Sequence, residues 1–344
     1  MKVAFCSCNH PLVHPDQPGW LALAAAEPDV LLLLGDNIYI ENHVGELLGA
    51  QRPCFVLSDL DYARRLHARY AAQWNVAQFR VALRSAKRVM GTLDDHDFLG
   101  NDTFASPILQ RKARFARLLH RQFIAACNLK PLPSAYPTFE ELFGMDDAGF
   151  AQGLGIASSW EGFALSQEGA EQGAAAPSIK IILLDNRSYR ENPLANGLVS
   201  NAPALGAAQI SWLAQELVGS QRISIIASGS TFSAGDRAGI PGSPLDAYKR
   251  EATILRTLYR SQRHQRIIHL GGDLHYNAHW PQSADRPFTE LASSGMGSGW
   301  QPFARQQRGN FGLLSLNAQG IRMQLLGDEA ERNLDVFLKT GAPS

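Results

Sequence analysis

Short apolar stretches alternate along the chain with longer stretches of helical periodicity. The apolar stretches are four to seven residues long, as buried strands are, and between them apolar residues recur every three to four positions, as in helices. Near-continuous apolar strands need cover on both faces, so the alternation predicts an α/β fold with helices outside the sheets. The predicted strands span residues 3–7, 30–34, 87–93, 179–184, 223–227 and 267–270, and the predicted helices 20–26, 62–74, 107–127, 205–218 and 245–261.

The pattern changes towards the end of the chain. Two apolar stretches, 311–316 and 321–326, flank the turn sequence Asn317-Ala318-Gln319-Gly320 and predict a hairpin. The segment 166–178 is rich in Gly and Ala and is expected to be an exposed, mobile loop. No repeat or linker divides the sequence. We therefore expect one domain, residues 1–344, with a loop-rich insertion at about 131–178 and a C-terminal β-hairpin at about 311–327.

Composition narrows the class of partner. Apolar residues make up 45% and charged residues 19%, with 32 basic and 32 acidic side chains, the balance of an ordinary globular protein. A chain without net charge has no long-range field to hold a polyanion, so general nucleic-acid binding is not expected. No stretch approaches the roughly 18 apolar residues of a membrane span, and the sequence opens on a strand without a signal segment. These features predict a cytoplasmic protein.

Acidic residues follow four of the predicted strands at the point where each strand ends. Asp36, the segment 94–97 and Asp185 follow three of them, and Asp273 and His275 follow a fourth. Because ligands bind outside the carboxyl ends of strands in α/β sheets, these groups should converge. Clustered carboxylates repel one another unless a cation compensates them. Any one of these aspartates also fits a helix cap or a turn, but the four strand ends together favour a metal site.

Other histidines and aspartates lack this context. His269 lies inside an apolar stretch and is predicted to be a core histidine with its polar atoms satisfied. Six others are assigned to the surface or to loops: His10, His14, His67, His120, Asp16 and Asp29.

Mixed carboxylate and imidazole ligands suit hard or borderline divalent ions and ferric iron. An aspartate that bridges two ions, with further ligands on either side, is the arrangement of two-metal hydrolases. Asp36 is the natural bridging candidate. Such a site activates a hydroxide and neutralises charge that develops at phosphorus, so a metal-dependent phosphoester hydrolase is the predicted function.

Six short motifs occur along the sequence: Ser7-Cys8-Asn9, Gly35-Asp36-Asn37-Ile38-Tyr39, Thr92-Leu93-Asp94-Asp95-His96-Asp97, Leu184-Asp185-Asn186-Arg187-Ser188-Tyr189-Arg190, Gly272-Asp273-Leu274-His275 and Leu291-Ala292-Ser293-Ser294-Gly295. In this order they resemble the motifs of the PhoD-like (alkaline phosphatase D) metallophosphoesterase family, over about residues 3–300. Each motif is weak alone, but six in order are specific. The resemblance implies a four-layer α/β sandwich, two mixed β-sheets flanked by helices, with metals at the sheet ends.

The resemblance also implies two sets of metal ligands. One ion, ferric iron in well-known members, would be held by Cys8, Asp36, Tyr39 and His275. A second, calcium in the same members, would be held by the bridging Asp36 with Asp95 and Asp273. Because free calcium is scarce in the cytosol, manganese, magnesium and zinc are the alternatives.

The residues expected to handle the substrate lie beside these ligands. His96 follows the aspartate pair and is the candidate general acid for the leaving group. Asn101, Arg187 and His279 are the candidate substrate-binding residues. Arg187 can bind a phosphate with its fork of donors, and a salt bridge to a nearby carboxylate is the alternative. The expected substrate is a small phosphoester, either a monoester or a diester.

The four cysteines, Cys6, Cys8, Cys54 and Cys127, are too scattered for a disulfide framework and are expected to be reduced thiols. Cys6 and Cys8 would face the same side of a strand, so spacing alone does not choose the ligand between them. The position of Cys8 at the strand exit, and the motif, favour Cys8.

Two other functions compete with hydrolysis at a metal site. Residues 228–232 lack the metal-binding histidine found there in many relatives, so a non-catalytic metal- or nucleotide-binding protein on the same scaffold is one alternative. The other is a serine hydrolase, although no Gly-x-Ser-x-Gly motif surrounds Ser230 or Ser298. The sequence makes no prediction about the oligomeric state.

Overall fold

The computed structural model describes residues 1–41, 53–104, 109–143, 161–165, 179–192, 202–219, 222–233, 244–297, 308–328 and 330–339. The strands are β1 (Lys2–Cys6), β2 (Val30–Leu34), β3 (Arg88–Thr92), β4 (Glu161–Leu165), β5 (Ile179–Leu184), β6 (Ile223–Ser228), β7 (Arg266–Gly271), β8 (Ala278–Trp280), β9 (Thr289–Ala292), β10 (Phe311–Leu316), β11 (Gly320–Leu326) and β12 (Leu334–Lys339). The helices are α1 (Gly19–Ala25), α2 (Asp59–Trp74), α3 (Ala77–Ser85), α4 (Asp95–Phe98), α5 (Gln110–Cys127), α6 (Phe139–Phe143), α7 (Ala207–Glu216) and α8 (Lys249–Ser261).

The strands form two mixed sheets of six strands each, with the orders β12-β11-β10-β1-β2-β3 and β4-β5-β6-β7-β9-β8. In the first sheet β1, β2 and β3 are parallel, whereas β10, β11 and β12 pair antiparallel. In the second sheet β5, β6, β7 and β9 are parallel, and β4 and β8 are antiparallel edge strands. The carboxyl ends of the parallel strands in each sheet therefore share one edge, where loops can deliver ligands.

Three apolar clusters divide the molecule into four layers. Within β2, Leu32 and Leu34 face a cluster shared with the second sheet, while Leu31 and Leu33 face a cluster shared with α2 and α5. The two-residue period of a strand accounts for this division. Ile182 of the second sheet packs with α7 and α8 in the third cluster. The order of layers is helices, sheet, sheet, helices, which confirms the predicted α/β sandwich of two mixed sheets.

The structure contains strands and helices that the sequence pattern did not predict. In the final strand, β12, half-buried Leu334, Val336 and Leu338 alternate with exposed residues, a period that the sequence does contain. Two elements, α6 and β4, lie within the proposed loop-rich insertion at 131–178, and β4 pairs antiparallel with β5. The expected mobile loop at 166–178 lies outside the described residues. The predicted hairpin strands are present as β10 and β11, and the single-domain organisation remains a prediction.

Two histidines assigned to the surface or to loops are instead buried. His10 is 8% exposed and His120 is 3% exposed, because His10 lies in the loop that follows β1 into the site and His120 on the inner face of α5. His269 is fully buried, as predicted, but its ring nitrogens have no hydrogen-bond partner among the described residues. No described helix combines the length and the apolar character that a membrane span requires.

Candidate metal centre

The segments that follow β1, β2, β3 and β7 bring the predicted ligands together. Among the described residues, three groups of side chains each place their donor atoms within 4.8 Å of one another. All members are buried, and Asp36 belongs to every group. The groups are Cys8, Asp36 and His275; Asp36, Asp95 and His96; and Asp36, Asp94, Asp95 and Asp273.

Four of these residues have a backbone conformation that residues other than glycine rarely adopt. The φ angle is 62° at Cys8, 47° at Asp36, 71° at Asp273 and 62° at His275. Left-handed backbone at a residue other than glycine costs about 1–3 kcal/mol and persists where the surrounding structure imposes it. In each case the chain turns sharply just after a strand, and the side chain joins the shared cluster of potential ligands. Clustering of such residues is typical of functional sites.

Glycines allow the loops at the strand ends to touch, both within each sheet and between the two sheets. A Cβ atom on Gly35 would lie 2.5 Å from the Cβ atom of Asp94, and one on Gly229 would lie 2.6 Å from the same atom. A Cβ atom on Gly272 would lie 2.5 Å from the carbonyl oxygen of Gly229. No larger residue fits these three positions without displacing backbone, so the glycines permit the close approach that brings the ligand-bearing loops together.

The first group contains the thiol, a carboxylate and an imidazole. The Cys8 Sγ atom lies 3.2 Å from Asp36 Oδ2, and the hydroxyl oxygen of Tyr39 lies 3.0 Å from His275 Nε2. Ser294 donates a hydrogen bond to Cys8 Sγ at 3.0 Å and accepts one from the backbone N–H of His275 at 2.9 Å. Burial raises the pKa of the Cys8 thiol to about 11; a bound cation would favour the thiolate.

The two candidate cysteines lie in different surroundings. The strand β1 ends at Cys6, one residue earlier than predicted, so the strand period does not extend to Cys8. Cys6 packs in the apolar cluster beneath the helices, and burial raises the pKa of its thiol well above the usual range. Among the two, only Cys8 is grouped with Asp36 and His275.

The protein shifts the pKa values of the carboxyl groups in the acidic group in different directions. Burial, together with the nearby Cys8 and Asp95 side chains, raises the pKa of Asp36 well above its ordinary value. Burial also raises the pKa of Asp94 to about 6, against the opposing effect of Arg187. The pKa of Asp95 is instead lowered, because Arg187 and His96 outweigh the effect of its burial. A buried cluster of four carboxylates and a thiol suits a cation, so the residues present fit the metal ions that the motif resemblance implies.

His96 is fixed beside this group by four contacts. Its backbone N–H donates to Asp36 Oδ1 at 3.3 Å and to Asp95 Oδ1 at 3.0 Å. Its ring centroid lies 3.9 Å from that of Tyr39, and its Nδ1 atom lies 2.5 Å from Glu41 Oε1. The neighbouring carboxylates, Glu41 foremost, outweigh burial and raise the pKa of His96 well above its ordinary value. A protonated imidazole at this position can act as an acid.

The three candidate substrate-binding residues have different surroundings. The exposed Asn101 side chain donates to Asp102 Oδ2 at 3.0 Å, and His279 is a half-buried residue of β8 opposite Leu291. Arg187 is fully buried and donates to Asp94 through Nε, which is the salt bridge that the sequence left open. Its Nη1 atom has no hydrogen-bond partner among the described residues, so one donor remains for a phosphate oxygen. Substrate binding by all three remains a prediction.

Four residues of the site were not selected from the sequence, although each lies close to a motif that was. Asp94 was noted at the strand end but not selected as a ligand, and Glu41 comes two residues after Tyr39. Ser294 belongs to the 291–295 motif. His10 follows Cys8 by two residues, and its ring centroid lies 4.5 Å from that of Tyr39. The useful signal in each case is proximity to a strand exit that already carries a ligand.

The sequence matches no family model and no curated protein. Among solved structures, a structure of PhoD is similar over 98% of this chain and 71% of its own, with 15% identity and a TM-score of 0.62. A dimetal phosphatase from Danio rerio is similar over 99% of both chains, with 14% identity and a TM-score of 0.52. At these identities the similarity is one of fold. The chain therefore has the fold of PhoD and of this dimetal phosphatase, with a cluster of acidic, thiol and imidazole groups at the sheet ends.

Proposed function

We propose that the chain is a metal-dependent phosphoester hydrolase with two metal ions at the shared ends of its sheets. The observation that carries the proposal is the position of Asp36, which belongs to all three groups of potential ligands. A carboxylate common to neighbouring groups is the feature that allows two ions to lie side by side. The fold that this chain shares with a dimetal phosphatase supports the same assignment.

Each residue has a defined task in this proposal. Cys8, Tyr39 and His275 would hold one ion with Asp36, while Asp95 and Asp273 would hold the second with the same carboxylate. Bound there, the ions would supply an attacking water of lowered pKa and neutralise charge on the phosphoryl oxygens. Thiolate and phenolate ligands suit iron or zinc at the first position, and the oxygen ligands suit calcium, magnesium or manganese at the second.

His96 would protonate the leaving group. Its Nδ1 atom is engaged by Glu41, so Nε2 is the nitrogen that can donate a proton to the leaving oxygen. Arg187 holds Asp94 in place and can offer its remaining Nη1 donors to a phosphate oxygen. A small phosphomonoester or phosphodiester fits this set of groups.

One experiment tests the proposed function directly. Elemental analysis of the purified protein should give two ions per chain at saturation, and the loaded protein should hydrolyse at least one ester in a panel of mono- and diesters. Metal binding without hydrolysis of any ester would identify a non-catalytic metal-binding protein. Hydrolysis that resists chelators but is blocked by a serine-directed phosphonate would identify a serine hydrolase, although the Ser230 hydroxyl bonds to Asp94 and Arg187.

The His96→Ala variant tests the acid. Alkyl phosphates have poor leaving groups and need a proton, whereas nitrophenyl phosphates do not. We expect kcat for an alkyl phosphate to fall by about 10²–10⁴-fold, with a much smaller decrease for the nitrophenyl ester. Steady-state kinetics on both esters measure the difference. Equal losses on the two esters would remove His96 from the acid role.

The two cysteines near the N-terminus provide a matched pair for the first ion. Both are fully buried and lie two residues apart. We expect Cys8→Ala to weaken binding of the first ion by more than about 10- to 100-fold, which is the usual effect of removing a side chain that only contacts a metal ligand. Cys6→Ala should leave the metal content unchanged. Metal titration followed by elemental analysis measures both. Equal metal content in the two variants would show that the thiol at Cys8 is not a ligand.

A further inference from the structure

Glu41 and His96 form a buried pair at the edge of the metal centre. Glu41 Oε1 lies 2.5 Å from His96 Nδ1, and the side chains of both residues are at least nine-tenths buried. The same oxygen accepts a second hydrogen bond from the backbone N–H of Asn101 at 2.9 Å. One carboxylate oxygen therefore joins the imidazole ring to the chain segment that follows α4.

The surrounding backbone holds this pair in register. The N–H of Ile40 donates to the carbonyl oxygen of His96 at 3.3 Å, so residues beside Glu41 are attached to the backbone of His96 itself. Gly100 has a φ angle of 104°, which turns the chain so that Asn101 presents its N–H to Glu41. A Cβ atom on Gly100 would lie 3.4 Å from Glu41 Oε1, an ordinary van der Waals distance, so the positive φ angle and not a lack of space favours glycine here. The ring of Tyr39 lies against the imidazole.

We propose that Glu41 is a positioning residue that holds His96 with Nδ1 engaged and Nε2 directed at the leaving oxygen of the substrate. This inference rests on the proposed function, because it assumes that His96 is the acid. In the reaction the Nε2 proton moves to the leaving oxygen, the bond from phosphorus to that oxygen breaks, and the neutral ring keeps its Nδ1–H bonded to Glu41. A carboxylate at Nδ1 fixes the tautomer and the ring orientation of a functional histidine.

Substitution of Glu41 should therefore affect only those substrates that need a proton. We expect Glu41→Ala to lower kcat for an alkyl phosphate by about 10- to 100-fold, the usual effect of losing a partner that orients a histidine. Neither KM nor the kcat for a nitrophenyl phosphate should change by more than about twofold. Glu41→Gln retains an oxygen that accepts from both Nδ1–H and Asn101, so it should recover part of the lost rate, and it keeps the test available if the alanine variant does not fold.

The combination with His96→Ala separates positioning from a general structural role. If Glu41 acts through the imidazole, Glu41→Ala should add less than about a twofold decrease in the His96→Ala background. Glu251→Gln is the matched control, because Glu251 is a buried carboxylate that accepts N–H groups of residues 204–206, and it should leave the ratio of the two ester rates unchanged. Metal content, measured by elemental analysis, should be the same in all variants.

Two results would overturn the assignment of Glu41. Equal losses on the alkyl and nitrophenyl esters, or a full additional loss in the His96→Ala background, would show that Glu41 acts on the fold and not through His96. If His96→Ala itself slows the hydrolysis of both esters equally, His96 is not the acid, and the proposal that Glu41 positions the acid is overturned with it. If no ester is hydrolysed at all, the proposed function fails independently of Glu41.

Discussion

The Asp36→Asn variant should lose at least about a thousand-fold in kcat/KM for phosphoesters, equivalent to about 4 kcal/mol of transition-state stabilisation. Asp36 belongs to all three groups of potential ligands, and an amide supplies no charge to bridge two cations. The binding of both ions should therefore be weakened together. No other single ligand substitution should affect both halves of the centre to this extent.

The same substitution should have the opposite effect on the stability of the metal-free protein. Burial, together with the nearby Cys8 and Asp95 side chains, holds the pKa of Asp36 well above its ordinary value, so the ionised carboxylate is unfavourable in the folded state at neutral pH. Replacing it with a neutral amide should therefore raise the free energy of unfolding of the metal-free protein. Metal ions should stabilise the natural protein but not the variant.

Denaturant unfolding with and without metal ions, together with kinetics, measures both effects. Asp185→Asn is the matched control, because Asp185 is another buried carboxylate at a strand end, but it accepts the N–H groups of Arg187 and Ser188, as an amide oxygen also can. Its metal content should not change. An Asp36→Asn variant that keeps two ions and normal turnover would contradict the bridging role.

Arg187→Met should be the most destabilising of the substitutions considered. The guanidinium is fully buried, donates to Asp94 and lies 3.5 Å from Asp95 Oδ2. Removing it leaves the buried carboxylate of Asp94 without its partner cation and leaves Asp95 with His96 alone, which costs about 3–5 kcal/mol. The free energy of unfolding in metal-free buffer should fall by this amount, and a saturating divalent cation should restore part of it, because the cation supplies the missing positive charge.

A double-mutant cycle assigns the loss to the pair. Asp94→Asn combined with Arg187→Met should cost less than the sum of the two single variants, since each single variant leaves the partner group unpaired. Arg187→Lys, which keeps the charge but loses the fork, should lie between the natural protein and Arg187→Met. Additive costs in the cycle would show that Asp94 and Arg187 contribute independently.

Much of this site could be predicted because its residues follow strands. Apolar stretches such as Val30–Leu34 marked the strands, and the topology then required their carboxyl ends to meet. The carboxylate at Asp185 shows the limit of that reasoning, because it also follows a strand but binds the N–H groups of the next turn. Whether a strand-end aspartate binds a cation or its own loop depends on backbone angles that spacing does not reveal.

The contacts between loops were beyond prediction for a related reason. The pairing of Glu41 with His96 joins positions 55 residues apart, and that of Asp94 with Arg187 joins positions 93 apart. Neither follows from a strand or helix period, because both depend on how irregular segments turn after a strand. The separation of Cys8 from Cys6 likewise required the observed end of β1 and the left-handed backbone at Cys8.

The ligands come from both sheets, with Cys8, Asp36 and Asp95 following strands of the first and Asp273 and His275 following a strand of the second. An ion at the centre would thus link the two sheets at the edge of the apolar layer that lies between them. Neither sheet with its loops supplies all of the ligands by itself. Metal binding would therefore follow the packing of the two sheets against each other, and it would then oppose their separation.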